Sequence, residues 1–160
     1  MEKETKRLYF IFTLVASLAG GILLLATDFG GYYWYSYDGP SYGWVWVYAG
    51  ASVGGWFGFF AVASLLFFCT FISLNVILSL EGKEIVKIDE EKFINLGTIF
   101  CYIVAAICVV GAITLAIFAY TEDVAWVDVW LDAGFYGGLI GSGVTAFLFK
   151  FYQYKLKMEK

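Results

Sequence analysis

The side chains most often used for catalysis and metal binding are scarce in this chain, which has three cysteines and no histidine among its 160 residues. Histidine is the commonest general base and metal ligand, so its absence removes most catalytic and metal-centre chemistry. Cys69, Cys101 and Cys108 lie inside long apolar stretches, where buried, unreactive thiols are expected. The chain has no phosphate-binding glycine loop, serine nucleophile elbow or HExxH zinc motif. We therefore predict a non-enzymatic protein with no catalytic residue, metal site or cofactor.

Acidic residues are the remaining candidates for chemistry, and six of them fall in two of the segments that connect the apolar stretches. Carboxylate oxygens alone are sufficient ligands for Ca²⁺, so calcium binding is one interpretation of this group. The other interpretation is a set of solvated loop carboxylates, because no base is placed beside them. The six residues are Asp28, Asp38, Glu122, Asp123, Asp128 and Asp132, and the calcium interpretation concerns all of them except Asp38.

The composition indicates that the solvent of this chain is a bilayer. Hydrophobic residues make up 61% and charged residues only 15%, against about 25% charged in soluble domains. A globule of this size has too little interior to hide so much apolar surface, and the mean hydropathy is +0.78. A net charge of −4 with no basic patch argues against nucleic acid as a partner.

Four apolar stretches are long enough to cross a hydrocarbon core, which takes about 20 helical residues. We predict an α-helical transmembrane protein, in which residues 1–160 form one domain: an all-α bundle of four helices with a small extracellular antiparallel sheet. Asp89 is the expected N-cap of the third helix. The predicted spans are residues 8–27, 52–80, 93–120 and 133–152, joined by outer loops 28–51 and 121–132 and by cytoplasmic loop 81–92.

All ten basic residues fall on one side of these four spans: before span one, in the loop between spans two and three, and from Lys150 near the end of span four to the end of the sequence. Because cytoplasmic segments carry the excess of Lys and Arg, we predict a multi-pass protein of the cell membrane with cytoplasmic N- and C-termini. The ten residues are Lys3, Lys6, Arg7, Lys83, Lys87, Lys92, Lys150, Lys155, Lys157 and Lys160.

Aromatic and β-branched runs in the outer loops predict three strands, at residues 32–37, 44–48 and 124–130, with a turn at residues 38–41. The tryptophans of these loops have two interpretations. They form an interfacial aromatic belt, or they form a platform that binds a sugar, a lipid headgroup or a partner protein. The candidate partner-binding residues are Trp34, Trp44, Trp46, Trp126 and Trp130.

Small residues at four-residue spacing predict close helix packing. Asn75 and Asn95 are polar residues at similar depth in spans two and three, and a hydrogen bond between them is one expectation. The glycines predicted at helix contacts are Gly50, Gly54 and Gly58 in span two, and Gly134, Gly138 and Gly141 in span four.

This plan of four spans, internal termini and a longer aromatic first outer loop resembles the claudin and peripheral-myelin-protein group. The resemblance implies that both outer loops form one antiparallel sheet on the helix bundle. In that family the first outer loop carries Gly-Leu-Trp and two disulfide-bonded cysteines. This chain has Gly43, Trp44, Val45 and Trp46 there and no cysteine in the loop, so no functional residue is carried over.

Three functions are compatible with these features. The first is a structural or adhesion-type membrane protein that self-associates, or pairs with other membrane or envelope proteins, through its aromatic outer loops. The second is an accessory subunit of a larger membrane complex. The third is an oligomeric channel or small carrier, which the acidic outer loops favour and the lack of an inward-facing charged residue in any span opposes.

Overall fold

The computed structural model describes residues 2–36, 39–45, 53–83, 85–121 and 126–158. Four helices and a small antiparallel sheet are present, as predicted. The elements in chain order are α1 (Lys3–Ala26), β1 (Gly30–Ser36), β2 (Gly39–Val45), α2 (Val53–Ser79), α3 (Glu90–Thr121), β3 (Trp126–Leu131) and α4 (Ala133–Met158).

The helices form a closed antiparallel bundle in which each helix packs against its neighbours in the chain and α4 closes the ring against α1. Lys6 of α1 forms an ion pair with Glu90 of α3, and Arg7 forms one with Glu81 just after α2, at 2.8 and 3.2 Å. These contacts define the basic end of the bundle. At the opposite end, called the sheet end, the amide of Gly134 donates to the carbonyl of Asp28 at 2.9 Å.

Helices α1, α3 and α4 are longer than the predicted apolar spans because helical hydrogen bonding continues through flanking charged residues that are good helix formers. α1 begins at Lys3 and α4 continues to Met158, well beyond the apolar limits at residues 8 and 152. α3 begins at Glu90, where the amide of Lys92 donates to the Asp89 carboxylate at 3.3 Å. Asp89 is therefore the N-cap, as predicted.

Apolar side chains fill the bundle and also cover its outside. Phe10, Leu66 and Phe149 are at most 1% exposed in the centre. On the surface, Phe12 and Phe147 are 57% and 65% exposed. By length and composition, three described helices are apolar enough to cross a membrane, over Lys3–Ala26, Phe60–Ser79 and Glu90–Ile117.

The fourth predicted span forms a helix, but α4 is not among the three helices that reach this level of hydropathy in the described chain. Its sequence explains the difference. Five glycines occupy its first half, Lys150 lies in its second half, and polar Gln153 follows. Glycine contributes almost nothing to hydropathy, so a helix rich in glycine has a lower mean hydropathy than one with large apolar side chains.

The sheet has the strand order β2-β1-β3, with both pairs antiparallel. The second strand lies earlier than the sequence prediction of residues 44–48, and Pro40 lies in β2 instead of in a turn. Pro40 is acceptable there because β2 is an edge strand, where a missing amide hydrogen need not break the sheet. Alternating aromatic residues give the period of a strand without fixing where pairing begins, so the predicted start of this strand was wrong, and residues 46–48 lie outside the described residues.

Candidate functional site

One face of the sheet lies against the helices at the Gly30 corner. A Cβ atom added to Gly30 would come within 2.9 Å of Leu115 in α3. Leu131, which pairs with Gly30, packs against the bundle core. Because residues opposite each other in an antiparallel pair share a face, Gly30 and Leu131 define the lower face of the sheet.

The alternate residues form the upper face, which lies on the side away from this helix contact. The register places three tryptophans and three tyrosines there, together with one aspartate, one proline and one glycine. Across β2, β1 and β3, the three rows are Trp44, Gly31 and Trp130; Tyr42, Tyr33 and Asp128; and Pro40, Tyr35 and Trp126.

The five predicted partner-binding tryptophans therefore do not form one set. Trp44, Trp126 and Trp130 share the upper face. Trp34 belongs to the lower face with Gly30, since their positions in β1 differ by four and alternate residues of a strand share a face. Trp46 lies outside the described residues.

The outer edge of β3 is not paired with another strand in the described part of the chain. The amide of Asp132 donates to the carbonyl of Phe29 at 2.9 Å, so it points towards β1. In an antiparallel strand the amide direction alternates along the chain. The amides of Val127, Val129 and Leu131 therefore point to the outer edge, where a further strand could accept them.

At least one acidic residue at the sheet end has a structural role. The Asp132 carboxylate accepts the amide of Ala133 at 2.7 Å at the start of α4. Asp128 is exposed on the upper face. Among the described residues no group of three potential metal ligands occurs. Of the other candidates for calcium binding, Asp28 accepts the amide of Gly134 through its backbone carbonyl, and Glu122 and Asp123 lie outside the described residues.

Glycines bring α1 and α4 into close contact. A Cβ atom on Gly141 would lie 2.7 Å from the Cα atom of Gly20 and 3.0 Å from the carbonyl oxygen of Ala16. A Cβ atom on Gly138 would lie 2.7 Å from Sγ of Cys108, and one on Gly134 would lie 2.8 Å from the carbonyl oxygen of Asp28. Gly54 and Gly58 lie in the first turns of α2, and Gly50 lies outside the described residues.

An apolar groove of about 460 Å³ runs beside this contact on the outside of the bundle. Ala19 and Leu23 line it from α1, and Ile140 and Val144 line it from α4. The groove follows from the small residues, because two helices that meet through glycine and alanine leave space next to their crossing.

The three cysteines are buried, as predicted. Sγ of Cys69 lies 3.6 Å from Sγ of Cys101 and 3.4 Å from the carbonyl oxygen of Gly97. Cys108 lies elsewhere, against Gly138. The thiols therefore connect neighbouring helices by packing.

Asn75 forms hydrogen bonds with the loop between α2 and α3, and not with Asn95 as predicted. Its amide group donates to the carbonyl of Val86 at 2.9 Å, and its carbonyl accepts the amides of Ile85 and Val86 at 2.9 and 3.0 Å. It therefore closes the loop between α2 and α3. Asn95 is exposed on α3. A buried side-chain amide next to a loop pairs more easily with the free backbone groups of that loop than with a side chain on another helix.

A polar cluster holds three helices together at the basic end. The Lys6 ammonium lies 2.8 Å from the Glu90 carboxylate, and the hydroxyl of Tyr152 donates to the same carboxylate. The Lys6 ammonium also lies 5.5 Å from the centre of the Tyr152 ring. This cluster is not predictable from the sequence, because its members lie far apart in the chain.

Buried hydroxyl groups mostly donate to carbonyl oxygens of their own helices, as Thr98 does to Ile94 at 2.8 Å. Ser17 and Thr70 are also 2.8 Å apart across α1 and α2. The hydroxyl of Thr145 in α4 is the one buried side-chain oxygen in the described residues without a hydrogen-bond partner.

No protein-family model, no curated protein and no solved structure matches this chain. Its function is therefore inferred from the geometry of the described residues.

Proposed function

We propose that the protein is a multi-pass membrane protein whose four helices cross the bilayer. The apolar outer surface supports this placement. Phe12, Ile113 and Phe147 are each more than half exposed, while equally large side chains already fill the centre. Water would make such a surface strongly unfavourable, at about 25 cal/mol for each Å², whereas lipid chains would cover it.

The packing of α4 supports four crossings instead of three. Near its start, Gly134 contacts Asp28 at the end of α1. Near its end, Tyr152 contacts Glu90 at the start of α3. These contacts are separated by about 27 Å of helix at 1.5 Å per residue. A helix that covers the same height as α1 and α3 must lie in the membrane wherever those helices do.

The distribution of charge supports cytoplasmic termini. The described Lys and Arg residues lie at or near the basic end, and residues 28–36, 39–45 and 126–132 at the sheet end contain none. The excess of basic residues faces the cytoplasm in most membrane proteins. The sheet end would then be extracellular.

We infer a structural or adhesion-type role in which neighbouring copies pair through the sheet. The observation that carries this proposal is the outer edge of β3, with its run of outward amides. Edge strands are ready templates for pairing with another chain. Pro40 makes β2 the poorer edge, because proline has no amide hydrogen. At the level of architecture, we also propose that the chain resembles the claudin group.

A proline in place of Val129 tests this role. Val129→Pro removes an outward amide and leaves the inward amides of Asp128 and Trp130 in place. The protein is purified in a mild detergent and its mass is measured by light scattering. We expect wild-type protein to be a single-species oligomer and Val129→Pro to be a monomer. The matched control, Val129→Thr, keeps the amide and the β-branched shape and should remain oligomeric.

A wild-type protein that is monomeric in mild detergent, and that cross-linking in native membranes also traps only as a monomer, would contradict pairing between copies. An unchanged mass for Val129→Pro would exclude the β3 edge. Thermal unfolding of both variants shows whether the bundle is intact.

A second candidate function is that of an accessory subunit in a larger membrane complex. The groove between α1 and α4 favours it, because an apolar groove lined by Ala19 and Val144 fits a helix of another membrane protein. Unrelated subunits that co-purify in mild detergent would support this function. Their loss on Ala19→Leu, which fills the groove, would assign the contact.

A further inference from the structure

A charged cleft of about 430 Å³ lies at the basic end, between the first turns of α3 and the last turns of α4. Lys150, Gln153 and Lys157 line it from α4, where their spacing places them on one face of the helix. Lys92 and Asn95 line it from α3. Across the cleft, two ammonium groups and one amide of α4 therefore face one ammonium group and one amide of α3.

The cleft has a net positive charge, and two of its three lysines form no ion pair with the described residues. Lys92 forms an ion pair with Asp89 at 3.0 Å, and hydrogen bonding to Lys92 lowers the pKa of Asp89, so this carboxylate stays ionised. Lys150 and Lys157 form no ion pair with any described residue. Three lysines against the carboxylates of Asp89 and Glu91 leave a formal charge of +1.

The cleft also lies where the apolar surface of the bundle ends. Leu96 and Phe147, which follow Asn95 in α3 and precede Lys150 in α4, are 39% and 65% exposed. Next to the cleft, Tyr152 and Glu90 mark the charged end of the helices. In the membrane placement proposed above, this boundary coincides with the layer of lipid headgroups.

We propose that this cleft binds the phosphate group of an anionic phospholipid, with Lys150 and Lys157 as the charged contacts and Asn95 and Gln153 as hydrogen-bond donors. Basic pockets between helices on the cytoplasmic side of membrane proteins suit anionic headgroups. The proposal rests on the membrane placement, but it does not depend on pairing through the sheet.

Lipid binding to the full chain, purified in a non-ionic detergent, tests this site. Phosphatidylglycerol and phosphatidylcholine are titrated separately, and bound lipid is counted by native mass spectrometry. Each lysine near a membrane surface changes the affinity for anionic lipid about fivefold. We expect Lys150→Gln with Lys157→Gln to weaken phosphatidylglycerol binding by about 25-fold and to leave phosphatidylcholine binding unchanged.

The matched control is Lys83→Gln with Lys87→Gln. These two lysines are also exposed near the basic end, but they lie outside the cleft. This double variant has the same net charge as the first and should bind phosphatidylglycerol like the wild type. An equal loss in both double variants would overturn the proposal, because it would show that the lipid is attracted by the net charge of the basic end and not by the cleft. Lys157→Gln alone should show about a fivefold loss.

An excess of inorganic phosphate distinguishes the two sources of the ligand. If the site recognises a lipid, phosphate alone displaces little phosphatidylglycerol. Full displacement by phosphate would overturn the lipid proposal and assign a soluble phosphate compound to the cleft. A protein that is soluble without detergent would contradict the membrane placement, and with it the lipid as ligand. The cleft itself would then be tested with inorganic phosphate, whose binding should be lost in the Lys150 and Lys157 variants and kept in the Lys83 and Lys87 variants.

Discussion

At the scale of single residues, Thr145 has a buried hydroxyl that does not contribute a hydrogen bond to the fold. An unsatisfied buried polar group costs about 1–3 kcal/mol, whereas an apolar group of the same shape does not. We expect Thr145→Val to raise the free energy of unfolding by about 1 kcal/mol. Denaturation in detergent, followed by tryptophan fluorescence, measures this change.

Thr98→Val is the matched control. Thr98 is equally buried, but its hydroxyl donates to the carbonyl of Ile94. Its replacement should lower the free energy of unfolding by about 0.5–1.5 kcal/mol. If both valine variants are destabilised to the same extent, the hydroxyl of Thr145 also has a partner.

At the scale of elements, the contact between α1 and α4 depends on glycines that leave no space for a methyl group. A Cβ atom on Gly141 would lie 2.7 Å from backbone of Gly20. Backbone cannot move aside as a flexible side chain can, so the helices would have to separate. We expect Gly141→Ala to lower the free energy of unfolding by about 1–3 kcal/mol, measured by denaturation in detergent.

Gly143 provides the control within the same helix. A Cβ atom there would meet nothing within 4 Å. Gly143→Ala should therefore be neutral or stabilising by up to about 1 kcal/mol, because alanine favours the helix. Equal losses at Gly141 and Gly143 would mean that helix propensity, not the approach of α1, sets the cost.

At the scale of the whole molecule, the proposed topology predicts opposite labelling at the two ends of the bundle. Asp128 at the sheet end and Lys83 near the basic end are both exposed. In intact cells, a membrane-impermeant thiol reagent should label Asp128→Cys, whereas it should label Lys83→Cys only after the membrane is permeabilised. The three native cysteines are buried and give the background.

Labelling of both variants in intact cells, or of neither, would contradict the topology. Because this measurement needs neither oligomers nor bound lipid, its result separates the membrane placement from the pairing of sheets and from the phosphate site.

The features of this fold that are predictable from sequence depend on local patterns. Runs of apolar residues indicated four helices because a helix in lipid needs continuous apolar length, and Asp89 indicated the start of α3 because capping is local. The positions of Lys6, Glu90 and Tyr152 were not predictable, since nothing local in the chain relates α1, α3 and α4 at that end.

The amino-acid sequence by itself determined the number and type of the elements and the separation of basic from acidic ends, because hydropathy and charge are properties of short segments. Tertiary structure alone decided that Gly20 meets Gly141, that Asn75 closes a loop, and that Trp34 lies on the opposite face of the sheet from Trp44. The physical reason is register. A shift of one residue in a strand reverses its faces, and such shifts are settled by contacts between segments that are distant in the chain.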